Sequence, residues 1–93
     1  MKELKLTLIN GAYNIEESQK IIMDVVASKI QFHEKKKLTA LIKNQGEDAH
    51  SIERINQLKL DMDYIKSQLS RLNQGTEVTI ECDIHIKLTQ PEV

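Results

Sequence analysis

Thr76-Glu77-Val78-Thr79-Ile80-Glu81-Cys82-Asp83-Ile84-His85-Ile86-Lys87-Leu88-Thr89 carries the most regular pattern in the chain. Val78, Ile80, Cys82, Ile84, Ile86 and Leu88 alternate without a break with Glu77, Thr79, Glu81, Asp83, His85 and Lys87. Only a strand places every second side chain on one face, so the alternation predicts a strand over about 77–89 with one apolar and one charged face. Upstream, Ile55, Leu58, Met62, Ile65, Leu69 and Leu72 repeat at spacings of three and four, the packing seam of a helix. That helix is expected over about 49–73, capped by Asp48 or Ser51 and closed by Asn73-Gln74-Gly75.

Farther upstream, Asn14-Ile15-Glu16-Glu17 reads as a helix start. The Asn14 side chain can accept from a free backbone N–H, and Glu17 can reach back to complete a capping box. The helix is expected over about 15–44, ending at Asn44-Gln45-Gly46, with Gly46 as the left-handed residue. Its first half carries a broad apolar stripe of Ile15, Ile21, Ile22, Val25, Val26, Ile30 and Phe32; its second half narrows to Leu38, Leu41 and Ile42. At the N-terminus Leu4, Leu6 and Leu8 alternate with Glu3, Lys5 and Thr7, which predicts a short strand over about 2–9 and a turn at Asn10-Gly11. The tail Gln90-Pro91-Glu92-Val93 reads as frayed.

The order strand–helix–helix–strand defines an α+β fold in one domain spanning 1–93. The short inter-helix link makes an antiparallel helical hairpin, and the return path makes the two strands antiparallel neighbours beneath it. A first strand of about 8 residues spans roughly 26 Å and a last strand of about 13 spans roughly 43 Å. On that count Ile84, Ile86 and Leu88 overhang with unpaired backbone on both sides. A long apolar edge needs a cover, and two strands alone are marginal in water. The simplest cover is a second copy, paired strand to strand in a four-stranded sheet. The expectation is a homodimer or higher homo-oligomer, with Leu60 and Tyr64, i and i+4 on the second helix, as a further contact.

Composition narrows function by exclusion. The 93 residues carry 13 basic and 14 acidic side chains, a formal charge of −1, so no global field recruits nucleic acid or anionic lipid. One cysteine allows no internal disulfide and fits a reducing compartment. No apolar run approaches membrane-spanning length and the N-terminus carries no signal-peptide pattern, so a cytoplasmic protein without a membrane partner is expected. The three glycines sit at turn signals and leave no phosphate cradle.

Five groups of residues could carry chemistry. Glu81, Asp83 and His85 line up on the polar strand face, a geometry open to a divalent metal, but Cys82 points the other way and the expected reading is a solvated face. Cys82 reads as a small core residue. His33 lies on the line of Val26 and Ile30 and reads as a packing residue with a satisfied hydrogen bond; no nucleophile or orienting acid stands near it in sequence. His50 falls in or just after the inter-helix loop, in solvent. Lys29, Lys35, Lys36, Lys37 and Lys43 form a basic segment opposed only by Glu34. Such a run can contact phosphates or an acidic protein partner, although a lysine run more often marks a solvated helix face. The resulting expectation is a non-enzymatic, cofactor-free assembly or adaptor module, with a small nucleic-acid-associated protein as the alternative and an enzyme or metal-binding protein as the second.

Overall fold

A computed structural model describes residues 2–91, in which β1 (Lys2–Tyr13), α1 (Ile15–Ile42), α2 (Ala49–Ser70) and β2 (Val78–Leu88) follow in that order. The arrangement is α+β: a two-stranded antiparallel sheet with a helical hairpin packed against it. Glu92 and Val93 of the expected frayed tail lie outside the described residues.

Helix starts follow the sequence signals. At α1 the Asn14 side chain accepts from the Glu17 N–H at 2.7 Å, and the Glu17 carboxylate accepts from the Asn14 N–H at 3.1 Å, a complete capping box. Asp48 caps α2 by accepting from the Ser51 N–H at 3.1 Å. Helix ends depart from the glycine signals. α1 closes at Ile42 in a Schellman motif with Asn44, φ 60°, as the left-handed residue. There the Gln45 N–H donates to the Ala40 carbonyl at 2.9 Å and the Asn44 N–H to Leu41 at 3.1 Å. Gly46, φ 82°, lies two residues beyond this cap. α2 ends at Ser70, earlier than expected, and Gly75, φ 90°, instead supports the turn in which the Thr76 N–H donates to the Asn73 carbonyl.

β1 is longer than the expected strand over 2–9 and runs through Asn10-Gly11 without turning. A β-bulge explains why alternation is lost there. Leu4 and Leu6 face Ile86 and Ile84; Leu8 is the extra residue; then Ile9, Gly11 and Tyr13 face Cys82, Ile80 and Val78. The bulge thus moves the apolar set from even to odd positions while keeping it on one face of the sheet. Gly11 is a seat rather than a turn. A Cβ there would stand 3.0 Å from the Tyr13 hydroxyl oxygen and 3.2 Å from its ring, so the ring occupies the space that a side chain would need.

The pairing also corrects the strand-length argument. β1 and β2 are matched end to end, Lys2 opposite Leu88 and Tyr13 opposite Val78. Ile84, Ile86 and Leu88 therefore have a backbone neighbour in β1 and only one free edge. What the sheet lacks is cover on its face. Ile9, Tyr13, Val78, Ile80 and Cys82 are half-buried near the hairpin base. Leu4, Leu6, Leu8, Ile84, Ile86 and Leu88 remain 37–52 % exposed.

Shape accounts for this. The chain measures 54 × 33 × 14 Å, whereas a sheet and hairpin stacked along their whole length would be narrower and thicker. The two arms diverge from their junction, and the hairpin covers only the near half of the sheet. Its radius of gyration is 17.3 Å, against about 12 Å for a compact domain of this length.

Within the hairpin, Ile55 and Leu69 are buried, with Leu58, Met62 and Ile65 half-buried between them. The facing line on α1 runs Ile15, Gln19, Ile22, Val26, Ile30, His33, Lys37, Ala40. The expected narrowing to Leu38, Leu41 and Ile42 is corrected: these are exposed, Ile42 to 75 %. At 100° per residue the line through Val26 and Ile30 reaches His33, Lys37 and Ala40, and leaves Leu38 and Ile42 on the flank.

Candidate functional site

Two places in the molecule concentrate features that its folding does not consume: the tip of the hairpin and the far half of the sheet.

At the tip, α1 supplies His33 and the first turn of α2 supplies Ser51. Both are buried, at 4 % and 0 % exposure. His33 Nδ1 lies 3.1 Å from Ser51 Oγ, and Ser51 Oγ donates to Asp48 Oδ2 at 2.7 Å. Because the serine hydrogen goes to the carboxylate, the serine oxygen accepts from an Nδ1–H imidazole. His33 Nε2 is buried with no hydrogen-bond partner. Burial, then Lys29, His50, Arg54 and Lys36, holds the His33 pKa below its ordinary value of 6.5, so the neutral ring is favoured. The Ser51 hydroxyl and then its N–H hold Asp48 below the usual carboxylate range.

Ser, His and Asp are thus joined, but in an order unsuited to nucleophilic catalysis. An activated serine gives its proton to imidazole, with the carboxylate behind the ring. Here the serine proton points to the carboxylate, and the serine is sealed between helices. The chain of hydrogen bonds does a structural job: it ties the α2 N-cap to α1 and sets the hairpin register. Sequence reasoning placed His33 in the packing and expected a satisfied ring. One nitrogen is satisfied and the other is not, and the His33–Ser51 bond has no local signature because it spans 18 positions. His50 is exposed, with its ring centroid 6.2 Å from that of His33.

The five lysines do not form one patch. Lys29, Lys36 and Lys43 share a stripe at a seven-residue spacing, while Lys35 and Lys37 project to either side of α1. Lys29 Nζ sits 4.7 Å from the centroid of the Phe32 ring, and Lys37 pairs with Glu34 at 3.6 Å.

On the polar sheet face, Asp83 pairs with Lys5 at 3.5 Å. Glu81, Asp83 and His85 stand in line as expected from alternation, but among the described residues no three His, Cys, Asp or Glu side chains converge as metal ligands. Cys82 is a free, half-buried thiol on the opposite, apolar face. A cleft of about 450 Å³ lies at the hairpin base between Asn14, Ile15, Gln19, Leu69, Leu72 and Gly75. It is a gap at the junction of the arms; Glu16, Ser70 and Thr76 also line it, and both hydroxyls donate to backbone carbonyls, Ser70 to Ser67 at 2.8 Å and Thr76 to Asn73 at 2.6 Å.

The far half of the sheet is the larger feature. Leu4, Leu6, Leu8, Ile84, Ile86 and Leu88 form one continuous apolar face, brought together by the register and by the bulge at Leu8. Leu60 and Tyr64 are exposed to 70 % and 65 % on the side of α2 opposite its seam. The accessible surface is 7676 Å², whereas a compact monomer of this mass exposes about 5,500 Å². No helix among the described residues is long and apolar enough to cross a membrane. No protein-family model matches the chain, and neither a curated protein nor a solved structure matches it.

Proposed function

We propose that the chain is a non-enzymatic, self-associating module of the cytoplasm that serves as an assembly or adaptor piece and whose working surface is the apolar face of its own sheet. The observation that carries this reading is the uncovered row of Leu4, Leu6, Leu8, Ile84, Ile86 and Leu88. Contiguous apolar surface on this scale marks a site of association. The occupant proposed is a second copy, on grounds of area. The surface in excess of a compact monomer is about 2,000 Å² per chain, and a stable interface removes about 800 Å² per partner. The excess therefore accommodates a full interface and still leaves a solvated exterior.

The hairpin supplies the second element of such a module, a rigid arm that projects from the sheet and is anchored by capping and by the His33–Ser51–Asp48 tie. Sedimentation velocity across the micromolar range tests the reading directly. A dimer or larger assembly with retained strand and helix signals is expected. A folded, monodisperse monomer throughout that range would overturn it.

A further inference from the structure

A two-stranded sheet has two free edges, and they differ. The outer edge of β1 is broken by the extra residue Leu8, and a bulge of this kind blunts an edge against pairing. β2 alternates from Val78 to Leu88 without a bulge, a proline or a glycine, so its ladder of outward N–H and C=O groups is regular.

Two-fold pairing of β2 with itself must be antiparallel, and residue numbers across the pair then sum to a constant. Each choice of axis sets the charges that meet. An axis through Cys82 puts Glu81 against Asp83 twice. An axis through Asp83 sets that carboxylate against itself. An axis through His85 pairs Asp83 with Lys87 but sets the imidazole against itself and leaves Glu81 facing Thr89. An axis through Ile84 sets Asp83 against the His85 imidazole and Glu81 against Lys87, each pair occurring twice, so that no carboxylate meets another and each finds a hydrogen-bonding or oppositely charged neighbour. Cross-strand neighbours of this kind interact directly. The apolar face agrees. With the axis at Ile84, exposed Ile86 and Leu88 of one copy lie beside half-buried Cys82 and Ile80 of the other. The uncovered half of each sheet thus adjoins the half that the other copy's hairpin covers.

We infer that β2 is the self-association edge, and that it pairs antiparallel with β2 of a second copy about a two-fold axis through Ile84 to give a four-stranded sheet with a hairpin at each side. This rests on the self-association reading and adds to it an edge, a register and a charge code.

The test is charge reversal with mixing. Glu81 faces Asn10 within its own chain, so Glu81→Lys leaves the intrachain pairing undisturbed. Lys87 faces Glu3, so Lys87→Glu is made together with Glu3→Lys to keep an opposite-charge pair there. Far-UV circular dichroism verifies the fold of each chain. Each variant alone should dissociate about tenfold more readily than wild type, since two pairs per dimer become repulsive. Mixed, they should form a heterodimer at wild-type affinity, because both 81–87 pairs are again of opposite charge. Variants that associate like wild type and mix at random would overturn the edge and register while leaving self-association standing. A monomeric wild type would overturn both. Should the Lys87→Glu chain fail to fold, Glu81→Lys alone decides: unchanged affinity means that position 81 does not face position 87.

Discussion

Ile84→Lys puts the largest strain on the association surface at the least cost to the single chain. Ile84 lies opposite Leu6 and retains 37 % exposure, so a lysine there can lay its stem along the sheet and carry its ammonium into water. In the proposed assembly that escape closes. Full burial of an isoleucine contributes about 1.5–3 kcal/mol, so covering the remaining third contributes about 0.5–1 kcal/mol per chain and about 1–2 kcal/mol per pair. Two ammonium groups on the two-fold axis, about 5 Å apart, repel by about 1 kcal/mol in water and about 3 kcal/mol at an effective dielectric near 20. The total, about 2–5 kcal/mol, weakens association roughly 30-fold to several-thousand-fold. Flexibility of the lysine stem favours the lower end. Sedimentation equilibrium gives the dissociation constants and circular dichroism the fold, with Ile84→Val as the companion that keeps branching and apolarity. A folded Ile84→Lys protein whose dissociation constant matches wild type would mean that the sheet face is not buried between copies.

Asn14→Ala removes the capping box of α1, at a cost of about 1 kcal/mol, and should lower the thermal midpoint by about 4–8 °C; an unchanged midpoint in a circular dichroism melt would show that the cap carries no stability. Stability should fall with acid from about pH 6.5 downward, because the His33 pKa is lowered on folding: above 6.5 the ring is neutral in both states, and below it the unfolded chain takes up the proton first. His33→Gln should flatten that slope in pH-dependent melts. Deleting Leu8 removes the bulge and keeps the apolar face in phase, so the protein should fold and, with two regular edges, form larger species seen by light scattering; an unfolded deletion would mean that the bulge shapes more than the edge. Amide exchange should slow with rising protein concentration in β1 and β2 but not in the seam of α1 and α2, since only the sheet gains cover from a second copy.

Much of the fold is legible in the sequence, and the failures share a cause. Alternation, the α2 seam from Ile55 to Leu69 and the Asn14–Glu17 box are local patterns, each complete within a few turns or a single strand, and each appears in the structure, whereas Leu72, the last residue of the expected seam, lies past the helix end and is exposed. Asn10-Gly11 misleads because its glycine serves a neighbour, Tyr13, rather than a turn. The bulge hides β1's true length by shifting its alternation by one residue. Leu38, Leu41 and Ile42 look like seam residues by composition, yet the helical period passes through His33, Lys37 and Ala40. The Asp48–Ser51–His33 tie depends on the hairpin closing and has no short-range signature. Even so, a histidine on the Val26–Ile30 line and a serine at the third position of a helix are each readable as facing inward.

The distribution of burial sharpens the case for association. The two fully buried side chains are polar, Ser18 bonded to the Asn14 carbonyl at the hairpin base and Ser51 toward its tip, where it holds the buried His33. Between those two ties runs an apolar seam, so the hairpin holds together from its own residues. The sheet is built in the opposite way. Its apolar side chains are more than a third exposed across the far half, and among the described residues no buried polar tie joins that half to a helix. An isolated pair of strands is marginal, and here the divergence of the hairpin leaves that pair without a roof. The bulge at Leu8 keeps the apolar face continuous through the shift in phase, which matters only if that face is to be covered. A charged face, an apolar face and one unbroken edge are then the ingredients of a half-sheet, which the proposed pairing with a second copy would complete.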